Sequence, residues 1–129
     1  MLAVSLSATL ARAQGTPPQT PQEREKQLME YVDKEVQRLS SLLELEYWQE
    51  FYVDSTLTHD LKALNQEMEK LQSAKVENAD LYMTVQDKWM QQIDETYKRL
   101  FTSAQWTKYW KNGGKRAQDA RDKRNKKKK

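Results

Sequence analysis

The side chains that most often carry out catalysis are scarce in this sequence and form no catalytic pattern. His59 is the single histidine, and it lies outside the Glu-x-x-His and His-Glu-x-x-His patterns that hold metal ions in helical proteins. Two carboxylate pairs, Glu44 with Glu46 and Asp94 with Glu95, lack the partner groups that general acid–base catalysis requires. Cysteine is absent, which excludes disulfides and thiolate chemistry. We therefore predict no enzyme activity, no cofactor and no metal site.

Basic residues are concentrated at the C-terminal end of the chain. Residues 111–129 hold ten Lys and Arg against two Asp, a net charge of +8, so residues 1–110 carry −5 of the overall +3. Such a run either binds phosphate-rich surfaces or serves as a solvated, self-repelling tail, and we predict that residues 112–129 are disordered. If the tail binds anions, the residues expected to do so are Lys123, Arg124, Lys126, Lys127, Lys128 and Lys129.

The first residues have features of a secretory signal peptide. Residues 2–10 form a short apolar run, and Ala11-Arg12-Ala13 supplies a small-residue cleavage pattern before Gln14. The run lacks the preceding Lys or Arg of a typical signal peptide. We predict that residues 1–13 are removed, that residues 14–19 are a spacer, and that the mature chain is periplasmic. An uncleaved, cytosolic chain is the alternative.

The body of the chain, residues 20–111, has the periodicity of α-helices. Thr20, Pro21 and Glu23 predict the start of the first helix, through an N-cap, a proline at the first position and a capping box. Spacings of three and four then place apolar side chains on single stripes. The first helix carries Leu28, Val32, Val36, Leu39 and Leu43, the second Leu57, Leu61, Leu64, Met68 and Leu71, and the third Tyr82, Val85, Trp89, Ile93, Tyr97 and Leu100.

Two connections are predicted within this helical body. Residues 75–79 lack an apolar stripe, and Asn78 is a suitable N-cap for the third helix. Thr102 and Gln105 form a capping box that starts a fourth helix, which is expected to stop at Asn112-Gly113-Gly114. The fold class is therefore all-α: an elongated hairpin of three to four amphipathic helices, expected to dimerise because its apolar seams exceed what so thin a monomer buries.

Two five-residue segments carry the strongest family signal. Phe101 to Gln105 and Leu45 to Gln49 each end in glutamine, and the two glutamines are 56 residues apart. Glu46 stands in the first segment where Thr102 stands in the second, so the first lacks a capping hydroxyl and leaves open whether helices one and two are continuous.

These segments resemble the motifs of the LTxxQ proteins of the bacterial envelope, the Spy/CpxP-like family. The resemblance covers roughly residues 24–111, with Phe101 in place of the motif leucine. It implies an ATP-independent chaperone or a modulator of the envelope stress response, built as a curved helical hairpin that dimerises. The partners implied are partly folded proteins. The residues expected to bind clients or a partner are Trp48, Phe51, Tyr52, Leu57, Leu61 and Leu64.

Two other functions fit the same residues. One is an adaptor whose heptad seam, residues 57–71, pairs with a partner helix while the basic tail contacts anionic lipid or lipopolysaccharide. The other is a nucleic-acid accessory protein, which requires that the chain stay in the cytosol.

Overall fold

The computed structural model describes residues 19–127, which are almost entirely helical. The helices are α1 (Pro21–Leu43), α2 (Tyr47–Ser73), α3 (Ala79–Leu100), α4 (Ser103–Tyr109) and α5 (Lys115–Lys127), and no strand occurs in this range. The all-α prediction is confirmed. The predicted signal peptide, all of the spacer except Gln19, and the last two lysines of the tail lie outside the described residues. Within residues 19–127, no helix is long and apolar enough to cross a membrane.

The predicted capping residues start three of the helices. Thr20 Oγ1 accepts from the backbone N–H of Glu23 at 3.1 Å, and Asn78 Oδ1 accepts from the N–H of Asp80 at 2.9 Å. Thr102 Oγ1 accepts from the N–H of Gln105 at 3.2 Å. Each of these oxygens satisfies a donor that has no partner within its own helix.

Helices α1 and α2 are separated by a tight turn rather than being continuous. Glu44 has a left-handed backbone with φ of 53°, and the N–H of Leu45 donates back to the Ser40 carbonyl at 3.3 Å. Glu46 is extended and stands at the N-cap of α2. A left-handed residue after the last helical turn is a common helix ending, although glycine is the usual residue there. The turn therefore folds α2 back along α1.

Helix α2 lies between α1 and α3 and runs antiparallel to both. Arg24 near the start of α1 pairs with Glu69 near the end of α2 at 2.9 Å. On the other side, Glu67 accepts from Lys88 at 2.6 Å and from the Trp89 indole at 2.9 Å. These two hydrogen bonds lower the pKa of the Glu67 carboxyl.

The apolar core lies along the inner side of α2. Its members come from α1, the α1–α2 turn, α2, α3 and the α3–α4 junction: Leu28, Val32, Leu39, Leu43, Leu45, Val53, Leu57, Leu61, Ile93, Tyr97 and Phe101. Two predicted client contacts, Leu57 and Leu61, are thus core residues with 2% and 8% exposure, and Leu64 packs partly buried against them. Their burial differs from the exposure that the prediction requires, because α1 and α3 of the same chain already cover this seam.

The basic segment is helical, which differs from the predicted disorder. Residues Trp110–Gly114 form a kink in which Gly113 has φ of +127°, and the chain resumes as α5. Arg121 on α5 pairs with Asp94 on α3, and Arg124 pairs with Asp87, both at 2.7 Å. Composition alone suggested a solvated tail, and these two pairs explain why residues 115–127 instead lie against α3.

Candidate functional site

The two motif glutamines, which are far apart in sequence, bind each other. Gln49 Nε2 donates to Gln105 Oε1 at 2.7 Å, and Gln105 Nε2 donates to Gln49 Oε1 at 3.1 Å. Each amide group also donates to the last residue of a helix in the other half of the chain. Gln49 reaches the Leu100 carbonyl of α3 at 3.2 Å, and Gln105 reaches the Leu43 carbonyl of α1 at 3.3 Å. Each glutamine therefore caps a helix end that has no partner of its own.

The same amide oxygens close the two helix starts. Gln49 Oε1 accepts from the N–H of Glu46 at 3.0 Å, and Gln105 Oε1 accepts from the N–H of Thr102 at 2.9 Å. Both side chains thus use two donors and two acceptor sites, the full capacity of an amide. Gln49 is 1% exposed. We call this arrangement the glutamine junction; it fixes where α1, α2, α3 and α4 meet.

Next to the glutamine junction, the first turns of α2 expose four aromatic side chains. Tyr47, Trp48, Phe51 and Tyr52 are 90%, 51%, 66% and 53% exposed, and we call them the aromatic face. Phe51 and Tyr52 meet edge to face with ring centroids 5.6 Å apart, and Trp48 and Tyr52 do so at 6.4 Å. Gln49 and Val53 lie on the opposite side of the helix and are buried. A helix with a buried inner side therefore presents a contiguous aromatic surface outward.

The aromatic face is bordered by carboxylates. The Trp48 indole N–H donates to Glu46 Oε2 at 2.5 Å, and the Ser40 hydroxyl of α1 donates to Glu50. Leu45, Glu46, Tyr47, Trp48 and Glu50 line an open depression of about 730 Å³. The predicted residues Trp48, Phe51 and Tyr52 are therefore brought together. Tyr47 was not among the residues predicted to bind clients, although its place four residues before Phe51 puts it on the same side of the helix.

The other aromatic cluster is internal and structural. Tyr97 stacks on Phe101 with centroids 5.0 Å apart and meets Tyr109 edge to face at 5.4 Å. Tyr109 also donates its hydroxyl to Asp94 at 2.6 Å. Burial raises the pKa of both tyrosines, and the Asp94 carboxylate adds to the increase for Tyr109.

Asp94 and Arg121 form a buried ion pair that was not predicted from the sequence. Both side chains are at most 8% exposed, and the Arg121 Nε also donates to Gln91 Oε1 at 3.0 Å. In the sequence, Asp94 is only one of two adjacent carboxylates without an evident partner. The overlooked signal is the seven-residue spacing of Asp87 and Asp94, which puts two carboxylates on one side of α3 facing the arginines of α5.

The predicted anion-binding residues are divided by this packing. Arg124 donates to both carboxylate oxygens of Asp87, at 2.7 and 2.8 Å, and this pairing raises its pKa. It is therefore already paired with an anion within the chain. Lys123, Lys126 and Lys127 are exposed on α5, and Lys128 and Lys129 lie outside the described residues.

Within residues 19–127, no group of three or more His, Asp or Glu side chains is placed to hold a metal ion. The chain was compared with protein-family models, with curated proteins and with solved structures, and none of them matches it.

Proposed function

We propose that this protein binds partly folded proteins without using nucleotide energy, through the aromatic face of α2. The observation that carries the proposal is the exposure of four neighbouring aromatic side chains on a helix whose other side is fully packed. Exposed apolar patches of this kind mark interaction surfaces, and Tyr and Trp supply large contact areas with polar edges.

The surroundings of the aromatic face support a binding role over a purely structural one. Gln49 and Val53, one turn apart on the inner side of α2, are 1% and 0% exposed, so the aromatic side chains are presented by an anchored helix. Binding by an already ordered surface avoids part of the entropic cost of ordering it. The resemblance of the motif segments to the LTxxQ proteins, in which such segments accompany chaperone activity, agrees with this role.

The direct test is suppression of aggregation. The full chain, at several-fold molar excess over a chemically denatured test protein, should reduce the light scattering that follows dilution into buffer. The double variant Trp48→Ala, Phe51→Ala should suppress less while keeping its helicity, because both side chains are mostly exposed.

A matched control lies on another helix. Leu81 and Met83 on α3 are 46% and 38% exposed, and the variant Leu81→Ala, Met83→Ala should suppress as well as the original chain. The proposal fails if the original chain does not suppress aggregation at all. It also fails if the Trp48 and Phe51 variant suppresses unchanged.

A second function, attachment to anionic surfaces, is favoured by the outer side of α5. Arg116, Lys123, Lys126 and Lys127 are exposed there, while Arg121 and Arg124 hold the helix against α3. Each basic residue near an anionic bilayer contributes about 1 kcal/mol. Co-sedimentation with phosphatidylglycerol vesicles should fall when Lys123, Lys126 and Lys127 are changed to Gln, and unchanged sedimentation would reject this function.

A further inference from the structure

The charges around the aromatic face have one sign over a long stretch of chain. Residues 39–61 contain no Lys or Arg and five carboxylates: Glu44, Glu46, Glu50, Asp54 and Asp60. The first four alternate along the chain with the aromatic residues 47, 48, 51 and 52. Asp60 is different, because it is buried and bonded to His59 at 2.8 Å.

The nearest cations in sequence do not neutralise this border. Ser40 is the residue of α1 that donates to Glu50. Arg38 lies two residues before Ser40 and therefore on the other side of α1, and its guanidinium is bound by Glu35. Lys62 lies eleven residues beyond Phe51, about 16 Å further along α2 at the rise of an α-helix. Lys62 is itself paired with Glu25 at 3.3 Å.

We propose that the aromatic face selects segments of partly folded proteins in which apolar residues alternate with Lys or Arg. The inference rests on the proposed function and names its substrate class. Aromatic rings attract cations placed over their faces, and the carboxylates that border the aromatic face attract the same cations. Both kinds of group therefore favour a partner with positive charge. A segment carrying Asp or Glu would bring like charges together.

A second copy of the chain fits this surface poorly. A symmetric dimer through the aromatic face would place the carboxylates of one copy against those of the other. The basic helix α5 of another copy has the right charge, but its only apolar side chains are Ala117 and Ala120. It would therefore leave the aromatic rings without apolar contacts. A segment that carries both apolar and cationic side chains satisfies both features of the surface.

The test uses fluorescein-labelled peptides of equal length and equal Leu and Phe content, in which the intervening residues are Lys and Arg, Ser, or Asp and Glu. Fluorescence anisotropy with the full chain at low salt should give an affinity about tenfold higher for the cationic peptide than for the acidic one, from a few exposed charge contacts. This difference should shrink in 0.5 M NaCl, because exposed charges are screened.

Variants that replace carboxylates with amides show whether the border carboxylates cause the preference for the cationic peptide. The variant Glu44→Gln, Asp54→Asn should weaken binding of the cationic peptide several-fold and leave binding of the Ser peptide unchanged. The control variant Glu30→Gln, Glu77→Gln removes two exposed carboxylates elsewhere and should change neither.

Three results would overturn the inference, and they separate it from the proposed function. Equal affinity for the three peptides rejects charge selection and leaves the proposed function standing. Absence of binding by every peptide rejects both. Salt-sensitive self-association of the chain that competes with the cationic peptide assigns the aromatic face to a second copy instead.

Discussion

The side-chain amides of Gln49 and Gln105 donate hydrogen bonds to each other at 2.7 and 3.1 Å. Each also donates to the last carbonyl of a helix from the other half of the chain, Leu100 of α3 or Leu43 of α1. Each half of the chain therefore caps the end of a helix in the other half. This arrangement holds the start of α2, and with it the aromatic face, in a fixed position.

Replacing either glutamine with alanine should destabilise the fold by about 1–3 kcal/mol, because the remaining amide and a helix-end carbonyl lose their partners in a mostly buried place. The double variant should cost less than the sum of the two single ones, since both remove the same mutual bonds. Urea unfolding followed by circular dichroism measures all three. Gln86→Ala, at an exposed position of α3, is the control and should change stability little. If the losses of unfolding free energy in the two single variants add up to the loss in the double variant, the two glutamines are not directly coupled.

The Asp94–Arg121 pair, in which both side chains are buried, should matter more than the Asp87–Arg124 pair, whose arginine is partly exposed. Asp94→Asn leaves a buried guanidinium without a counter-charge and should cost about 3–5 kcal/mol. Arg124→Gln should have a smaller effect: Asp87 is also buried, but the Arg124 side chain is 37% exposed, so solvent screens its charge, and the glutamine amide can still donate a hydrogen bond to the Asp87 carboxylate. Hydrogen exchange of the α5 amides, together with urea unfolding, distinguishes the two variants. Similar protection of α5 in both would show that the buried pair does not hold this helix.

Stability should fall at alkaline pH because of Tyr97 and Tyr109. Burial raises the pKa of both hydroxyls above the ordinary value of 10.0, so the unfolded chain releases these protons first. Their contribution is complete below about pH 10 and is lost as pH rises above it, at about 1.4 kcal/mol per pH unit for each tyrosine.

Thermal melts between pH 8 and 11.5 check this dependence, and absorbance at 295 nm follows tyrosinate formation. The stability of the Tyr109→Phe variant should fall less steeply with alkaline pH than that of the original chain, because its unfolding releases one proton fewer. Identical slopes in the two proteins would mean that Tyr109 ionises normally in the folded state.

Glu44 is held in a left-handed backbone conformation with φ of 53°, which costs roughly 1–2 kcal/mol in a residue other than glycine. Glu44→Gly should relieve that strain, and after the entropic cost of glycine it should stabilise the protein by roughly 0.5–1 kcal/mol. Ser41→Gly, three residues earlier in the helical part of α1, should instead destabilise it by a similar amount. Differential scanning calorimetry compares the melting temperatures of the two variants. A lower melting temperature for Glu44→Gly than for the original chain would contradict the interpretation that the backbone at Glu44 is strained.

Much of the helical architecture could be predicted from local patterns. Thr20, Asn78 and Thr102 cap helices where the sequence indicated, because an N-cap oxygen acts on donors only two or three residues away. The stripe of Leu28, Val32 and Leu39 is likewise buried as its period predicts.

Predictions that depended on contacts between distant residues were less successful. Leu57 and Leu61 have the spacing of a partner seam, but periodicity does not say whether the partner is another chain or, as here, α1 and α3. The charge run of α5 indicated disorder because its partners, Asp87 and Asp94, lie some 30 residues earlier in the chain.

The sequence by itself determined the helical class, three of the helix starts and the absence of cysteine chemistry, since these follow from residue type and short-range spacing. The sequence also showed that Gln49 and Gln105 hold the same place in two similar segments. Only the tertiary structure decided that Gln49 and Gln105 bind each other, that α5 lies against α3, and that Trp48 and Phe51 face outward while Leu57 faces inward. Those outcomes depend on which surfaces meet after the chain turns back at Glu44, and local periodicity does not specify such meetings.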